Sequence, residues 1–310
     1  MTFELAGKRV WVAGHNGMVG KALVRRLQSI DCQILTVDKA DLDLRRQTDV
    51  ETWMERNRPE AVFIAAARVG GIQANSARPG EFFYDNAAIA TNIIHAAHVS
   101  GVAKLMFLGS ACVYPRVCEQ PIPESAMMTG PLEPTNEGYA MAKLGAISMC
   151  AGYRRQYGRD FISVVPTNLY GPWDNLDPAA SHVVPATVRK VVEAQAARQP
   201  VVVWGTGTPR REFLFVDDAA DAMVFLMERY ASDQIINIGA GEDVSIRELT
   251  EKVCAIVGYD AQLVFDTSKP DGMPRKQLDA TRLLDMGWRP KTTLADGLKI
   301  TYEWVRGALA

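Results

Sequence analysis

Cysteine is scarce in this sequence. Its five residues, Cys32, Cys112, Cys118, Cys150 and Cys254, are scattered and odd in number, and no Cys-x-x-Cys pair occurs. That pattern argues against a secreted disulfide framework and against a zinc cage, so the expectation is a reducing, cytoplasmic compartment and no bound metal. Long apolar runs are also missing. No stretch of about 18 uninterrupted apolar residues occurs, and no basic segment leads into an apolar one at the start, so no membrane span or processed leader is expected. Excess charge of one sign is absent too: 34 Lys and Arg against 36 Asp and Glu give a formal net charge of -2. There is therefore no electrostatic case for nucleic acid or for an anionic membrane surface. No repeat or low-complexity tract appears. What is present is 310 residues, 48% of them hydrophobic, enough for a large core in one or two domains with a small-molecule partner.

The most informative stretch covers residues 10–20. An apolar β-type run leads into Gly14, His15, Asn16, Gly17, Met18, Val19 and Gly20, where the glycines are spaced Gly-x-x-Gly-x-x-Gly, and a helical pattern follows to Leu27. Such a turn brings bare backbone N–H groups and the positive end of a helix against a diphosphate, which predicts a dinucleotide site. An ordinary strand-to-helix turn shares the spacing, so other residues must decide. Residues 33–38 read as a second strand ending in Asp38, about 20 residues on, where a nucleotide-binding sheet places its ribose-facing carboxylate. A plain strand-end acid is the alternative there.

Further along, residues 61–67 form a continuous apolar run suited to a strand covered on both faces. Residues 79–99 follow with a helical pattern, and residues 104–110 form another buried strand that ends at Leu108, Gly109 and Ser110. The order β-α-β-α-β-α-β without hairpin signals predicts an α/β, doubly wound parallel sheet of Rossmann type. Gly14, Asp38, Ala66 and Ser110 then converge on one rim, beyond the carboxyl ends of the strands. After a helix from Tyr139 and a strand over 161–165 comes Pro166-Thr167-Asn168-Leu169-Tyr170-Gly171-Pro172, beyond which the alternation is lost. Residues 1–171 are read as the dinucleotide-binding domain and 172–310 as a smaller, mainly substrate-binding portion. Strands at about 211–217 and 235–239 are expected to return to the main sheet. Ser245 and Glu248 have capping-box spacing ahead of a helix that reaches Val257.

Tyr139 and Lys143 stand at i and i+4 of one helix. A tyrosine exchanges protons near neutral pH only if its phenolate is stabilised, and a lysine one turn away supplies positive charge while a serine hydroxyl holds the substrate oxygen. Ser110, Tyr139 and Lys143 make that set. A Tyr-x-x-x-Lys spacing alone is common on solvated helix faces; the glycine turn and the rim serine give it meaning.

These residues resemble the extended short-chain dehydrogenase/reductase family, over essentially the whole chain. The resemblance rests on the glycine turn, on Ala65-Ala66-Ala67-Arg68-Val69-Gly70-Gly71-Ile72, on Gly109-Ser110-Ala111-Cys112-Val113-Tyr114-Pro115 and on Leu132-Glu133-Pro134-Thr135-Asn136-Glu137-Gly138-Tyr139. The 166–172 segment, Ser181-His182-Val183-Val184-Pro185 and residues 269–276 extend it. Within the family the match is to its GDP-sugar 3,5-epimerase-4-reductases, which implies epimerisation and NAD(P)H-dependent 4-reduction of GDP-4-keto-6-deoxy-mannose. It implies Cys112 and His182 as the acid/base pair for epimerisation, with Ser110, Tyr139 and Lys143 at the ketone. It also implies Ala66, Leu108, Lys143, Pro166, Asn168 and Leu169 beside the cofactor, and Asn168, Lys190, Trp204, Arg211, Asp271 and Lys276 as contacts to the GDP-sugar. A homodimer is the implied assembly. Competing roles remain open: Cys112 as a small buried hydrophobe, Arg211 and Lys276 as surface ion-pair residues, Trp204 as core.

Two positions depart from the family pattern. Typical members carry basic residues where this chain has Asn16 and Asp38, so NADP, the implied cofactor, has NAD as a serious rival. Lys39 or Arg45 could still meet a 2′-phosphate. Other readings stay open: a reductase or 4-epimerase of a related GDP-deoxysugar in which Cys112 does no chemistry, and a non-catalytic nucleotide-sensing protein.

Overall fold

The computed structural model describes the chain apart from Met1, residues 178–180, Ala261, Pro270 and Ala310. Pro270, part of the 269–276 motif, thus lies outside the described residues. The first half alternates strands and helices: β1 (Arg9–Ala13), α1 (Met18–Leu27), β2 (Gln33–Leu35), α2 (Gln47–Asn57), β3 (Ala61–Ile64), α3 (Ile72–Ala77), α4 (Pro79–Val99), β4 (Lys104–Leu108), α5 (Glu137–Tyr157) and β5 (Asp160–Pro166). The second half adds β6 (Asn168–Tyr170), α6 (Val183–Ala197), β7 (Val201–Trp204), β8 (Arg210–Phe215), α7 (Val216–Arg229), β9 (Ile236–Ile238), β10 (Asp243–Ser245), α8 (Ile246–Val257), β11 (Leu263–Asp266), β12 (Arg275–Lys276), α9 (Thr281–Asp285) and α10 (Leu294–Leu309).

A six-stranded parallel sheet in the order β2-β1-β3-β4-β5-β9 forms the centre. The order reverses between β1 and β3, which places a ligand crevice at the ends of those strands. The apolar runs are continuous because both faces of the sheet are covered. Trp11, Val62, Ile64 and Phe107 point to the side packed by α2, α4 and α5, whereas Val10, Val12, Phe63 and Met106 point to the side of α1 and α7. A residue that slipped by one position would exchange these cores, so the register is strongly specified.

The expectation for the returning strands is corrected in part. Residues 236–238 do join the main sheet, beside β5. Residues 210–215 do not: β8 pairs with β6, β10 and β12 in a second sheet. Val216, Asp217 and Asp218 already belong to α7, where the two acids sit in the first turn and favour the positive helix end. An apolar run bounded by acids reads alike as a strand end or a helix start, which is why the sequence pattern overran the boundary. The second strand likewise stops at Leu35, so Asp38 stands in the loop beyond it. Ser245 and Glu248 form the expected capping box at α8.

Candidate active site

The glycine turn is built by close approach of backbone. Gly14 has φ +87°, and a Cβ there would lie 2.6 Å from the Cα and N of Ala66, so this turn closes against the end of β3 only with glycine. A Cβ on Gly20 would lie 2.1 Å from the Gly14 carbonyl oxygen. Two glycines therefore serve the protein's own packing. Gly17 differs: its nearest neighbour to an added Cβ is the Gly14 oxygen at 3.5 Å, an ordinary contact. Gly17 is the N-cap of α1 with extended backbone and no side-chain cap, so it leaves the first N–H groups of the helix uncapped. The turn fits a dinucleotide diphosphate by this geometry.

At the rim of the turn Asp38 faces back toward it. The Asn16 amide donates to Asp38 Oδ1 at 2.6 Å, and His15 Nε2 lies 3.4 Å from the same oxygen. The Asp38 side chain is 60% exposed. Arg45, expected to be free to turn toward a phosphate, is instead held by both oxygens of Asp43 at 2.8–2.9 Å and by Asp85 at 3.2 Å. Lys39 is exposed beside Asp38.

Behind the turn, the end of β4 and the start of α5 bring four groups together. Ser110 caps a short 3-10 turn over Ala111–Val113 by accepting the Cys112 N–H at 3.3 Å, which fixes the hydroxyl against the Cys112 backbone. The Tyr139 phenol hydrogen-bonds Ser110. Lys143 is buried and donates to the Leu108 carbonyl at 2.7 Å, with its ammonium 5.7 Å from the centre of the Tyr139 ring. Burial lowers Lys143 to about 8, against an opposing pull from Cys112. Burial and the nearby Cys112 push Tyr139 well above the usual phenol range, and the Ser110 hydrogen bond only partly offsets them. Desolvation thus works against the stabilised phenolate expected of the Tyr139–Lys143 pair and favours the protonated phenol. A phenol that stays protonated is a proton donor.

His182 precedes α6. Its Nδ1 pairs with Asp174 Oδ1 at 2.9 Å, and this hydrogen bond raises the imidazole above its ordinary range despite partial desolvation. The Asp174 side chain is only 4% exposed and that of His182 is 42% exposed. Among the described contacts none joins His182 to Cys112.

The remaining residues lie on the second portion or at its junction with the main sheet. Pro166 ends β5, and Asn168 donates to the Glu212 carbonyl at 2.8 Å, tying β6 to β8, while Leu169 packs on the core. Trp204 is exposed, which excludes the core reading; Lys190 stands 4.7 Å and Lys269 5.8 Å from its ring centre. Arg211 forms no ion pair among the described residues and donates to the carbonyls of Arg210 and Met273. Asp271 accepts from the N–H and hydroxyl of Thr206 and holds the loop after β7. Lys276 lies in β12, next to Arg211 in register.

Three residues with clear roles here had no individual signal. Asn136 donates to Cys112 Sγ at 3.2 Å, and Asp174 holds His182. Glu212, wholly buried, receives the N–H groups of Ala240, Gly241 and Leu278 and so joins three segments distant in sequence. Loop spacings without a period give no hint of such contacts.

Comparison with known proteins adds an independent line. Residues 10–239 match the NAD dependent epimerase/dehydratase family. The chain is 53% identical to GDP-L-fucose synthase of Sinorhizobium fredii, over 97% of this chain and 96% of that protein. It is 52% identical to GDP-L-fucose synthase 1 of Arabidopsis thaliana, over 96% and 92%. Among solved structures it is similar to a GDP-L-fucose synthetase from Naegleria fowleri bound to NADP, with a TM-score of 0.92 and 29% identity over 99% of this chain and 97% of that one.

Proposed function

The chain belongs to the NAD dependent epimerase/dehydratase family, and from that premise we propose that it converts GDP-4-keto-6-deoxy-D-mannose into GDP-L-fucose, by epimerising C3 and C5 and then reducing C4. The observation that carries this reading is the thiol of Cys112, two residues beyond Ser110, which bears electrostatically on both Tyr139 and Lys143. A plain reductase needs only Ser110, Tyr139 and Lys143; an epimerase needs a base as well.

A ketone at C4 acidifies the hydrogens on both neighbouring carbons, so one oxyanion site can serve two inversions and a reduction. Ser110 and Tyr139 donate to O4. Cys112 takes the proton from C3 or C5, the electron pair moves to O4, and the His182 imidazolium, favoured by Asp174, gives its proton to the opposite face of that carbon. Solvent then takes the proton from Cys112 and replaces the one lost by His182 before the second inversion. Once both centres are inverted, Tyr139 gives its proton to O4 as C4 is reduced. NAD(P)H, when bound, supplies the hydride. The N–H groups from Gly14 to Gly20 would hold its diphosphate, Asp38 its adenosine ribose and Lys143 its other ribose, with Ala66, Leu108, Pro166, Asn168 and Leu169 along its length.

NADPH is proposed as a usable cofactor with NADH as its competitor, since Asp38 opposes a 2′-phosphate that Lys39 can still meet. Asn168, Lys190, Trp204, Arg211, Asp271 and Lys276 are proposed to receive the GDP-sugar; cations suit a diphosphate, and the exposed Trp204 offers a ring face. This assigns cofactor mainly to residues 1–171 and sugar mainly to 172–310. A cytoplasmic homodimer is proposed on similar grounds: the reduced cysteines fit that compartment, and exposed Phe83, Tyr84 and Met141 on the paired long helices α4 and α5 offer an apolar face.

Incubation with GDP-4-keto-6-deoxy-mannose and reduced cofactor in deuterated water tests the reading. Deuterium at both C3 and C5 of a reduced product is expected. A reduced sugar without it would make the protein a 4-reductase of a related GDP-sugar.

A further inference from the structure

We propose that Asn136 is a positioning residue that holds Cys112 as its thiolate by donating an amide hydrogen bond to the sulfur. The inference deepens the reading of Cys112 as the epimerisation base and rests on it.

Geometry carries the argument. Asn136 is the N-cap of α5, a position where asparagine ordinarily accepts a hydrogen bond from the first turn of its helix. Here it makes no side-chain cap, and its Nδ2 instead stands 3.2 Å from Cys112 Sγ. Its Oδ1 is buried without a partner among the described residues. An amide that forgoes its local cap and leaves its oxygen unsatisfied is costly, and rules of local stability are broken in this way where function needs the other arrangement. The turn that carries it is braced: Glu133 accepts the N–H and the hydroxyl of Thr135, and its carbonyl accepts the Asn136 N–H at 3.2 Å.

The other groups around the sulfur leave this task open. Lys143 attracts a thiolate electrostatically, but its ammonium donates to the Leu108 carbonyl. The nearby Cys112 works against ionisation of Tyr139, and Ser110 accepts from the Cys112 backbone through its hydroxyl oxygen. A neutral amide favours the anion and, unlike an ammonium, holds no proton acidic enough for the thiolate to capture in place of the one on the sugar carbon. During turnover Asn136 neither gains nor loses a proton; the thiolate takes the proton from the sugar carbon while the amide holds the sulfur in place.

The test reads the thiol itself. The full-length protein is treated with iodoacetamide between about pH 5 and pH 10, and alkylation of the Cys112 peptide is followed by mass spectrometry, which separates it from the other cysteines. In Asn136→Ala the midpoint should rise by about one pH unit. Asn136→Asp should raise it further, because a carboxylate opposes the thiolate, and Asn136→Gln should recover part of the loss. An unmoved or lowered midpoint in Asn136→Ala overturns the proposal. If that variant fails to fold, Asp and Gln decide: a midpoint higher in Asp supports it, equal midpoints overturn it. With GDP-4-keto-6-deoxy-mannose, Asn136→Ala should slow solvent exchange about tenfold at neutral pH and recover as pH rises. No exchange by the unaltered protein would retire the epimerase reading and leave the alkylation result standing.

Discussion

The ends of β4 and β2 lie on the same rim of one sheet, yet they make different chemical environments. β4 is central, with β3 and β5 on its sides and helices on both faces, so Lys143 and Tyr139 beside it have strongly shifted protonation. β2 is the edge strand, and Asp38 beyond it is mostly exposed. Groups in the interior are set by desolvation and a few fixed donors; groups on the edge act through water and are screened. The interior end should therefore decide whether reaction occurs, and the edge only which cofactor is preferred.

The sharpest way to break the contrast is at its interior end. Tyr139→Phe removes the proton proposed to be transferred to O4 and leaves the glycine turn untouched, so reduction should fall by about 10²–10⁴-fold while cofactor affinity stays within about twofold. Single-turnover rates beside a cofactor titration measure both. Near-normal turnover would mean that another group delivers the proton and that burial at β4 has no catalytic meaning.

His182 stands between the two extremes, half-exposed but paired with a buried carboxylate. Because Asp174 raises its pKa, the imidazolium persists to higher pH than in a free histidine and is lost as pH rises through the raised value. Asp174→Asn moves that loss to lower pH. Solvent exchange at the sugar carbons should then fall about tenfold above neutrality and less below it. An unchanged pH profile would leave His182 without an acid's role.

The same contrast governs how much could be read beforehand. Repeated burial writes itself into local patterns, so the parallel sheet, the length of α4 and the Tyr139–Lys143 pair were legible from apolar runs and from spacing on one helix. Junctions were not. The run over 211–217 looked like one strand because nothing in it distinguishes the pairing of β8 with β6 from a return to the main sheet. Asn136 and Asp174 were equally silent, since each acts on a residue of another loop, Cys112 or His182, at a separation that no helix or strand period marks. Spacing pointed to the set proposed for reduction more fully than to the set proposed for epimerisation.

The smallest expected effect lies at the edge. A 2′-phosphate brought near Asp38 meets a carboxylate already drawn to Asn16 and His15, while Arg45 is tied to Asp43 and Asp85 and only Lys39 stands close in sequence to offer charge. Like-charge repulsion across an exposed site amounts to about 1–2 kcal/mol, and salt reduces it. Asp38→Ala should therefore raise kcat/KM for NADPH relative to NADH about tenfold at low ionic strength, and by less at high salt. Asp38→Asn keeps an acceptor for Asn16 and removes only the charge, so it should reproduce the alanine result if repulsion is the cause. A gain in alanine alone would point to room made for the phosphate. If neither substitution moves the ratio, Asp38 does not face the ribose, and the edge of the sheet has no part in choosing the cofactor.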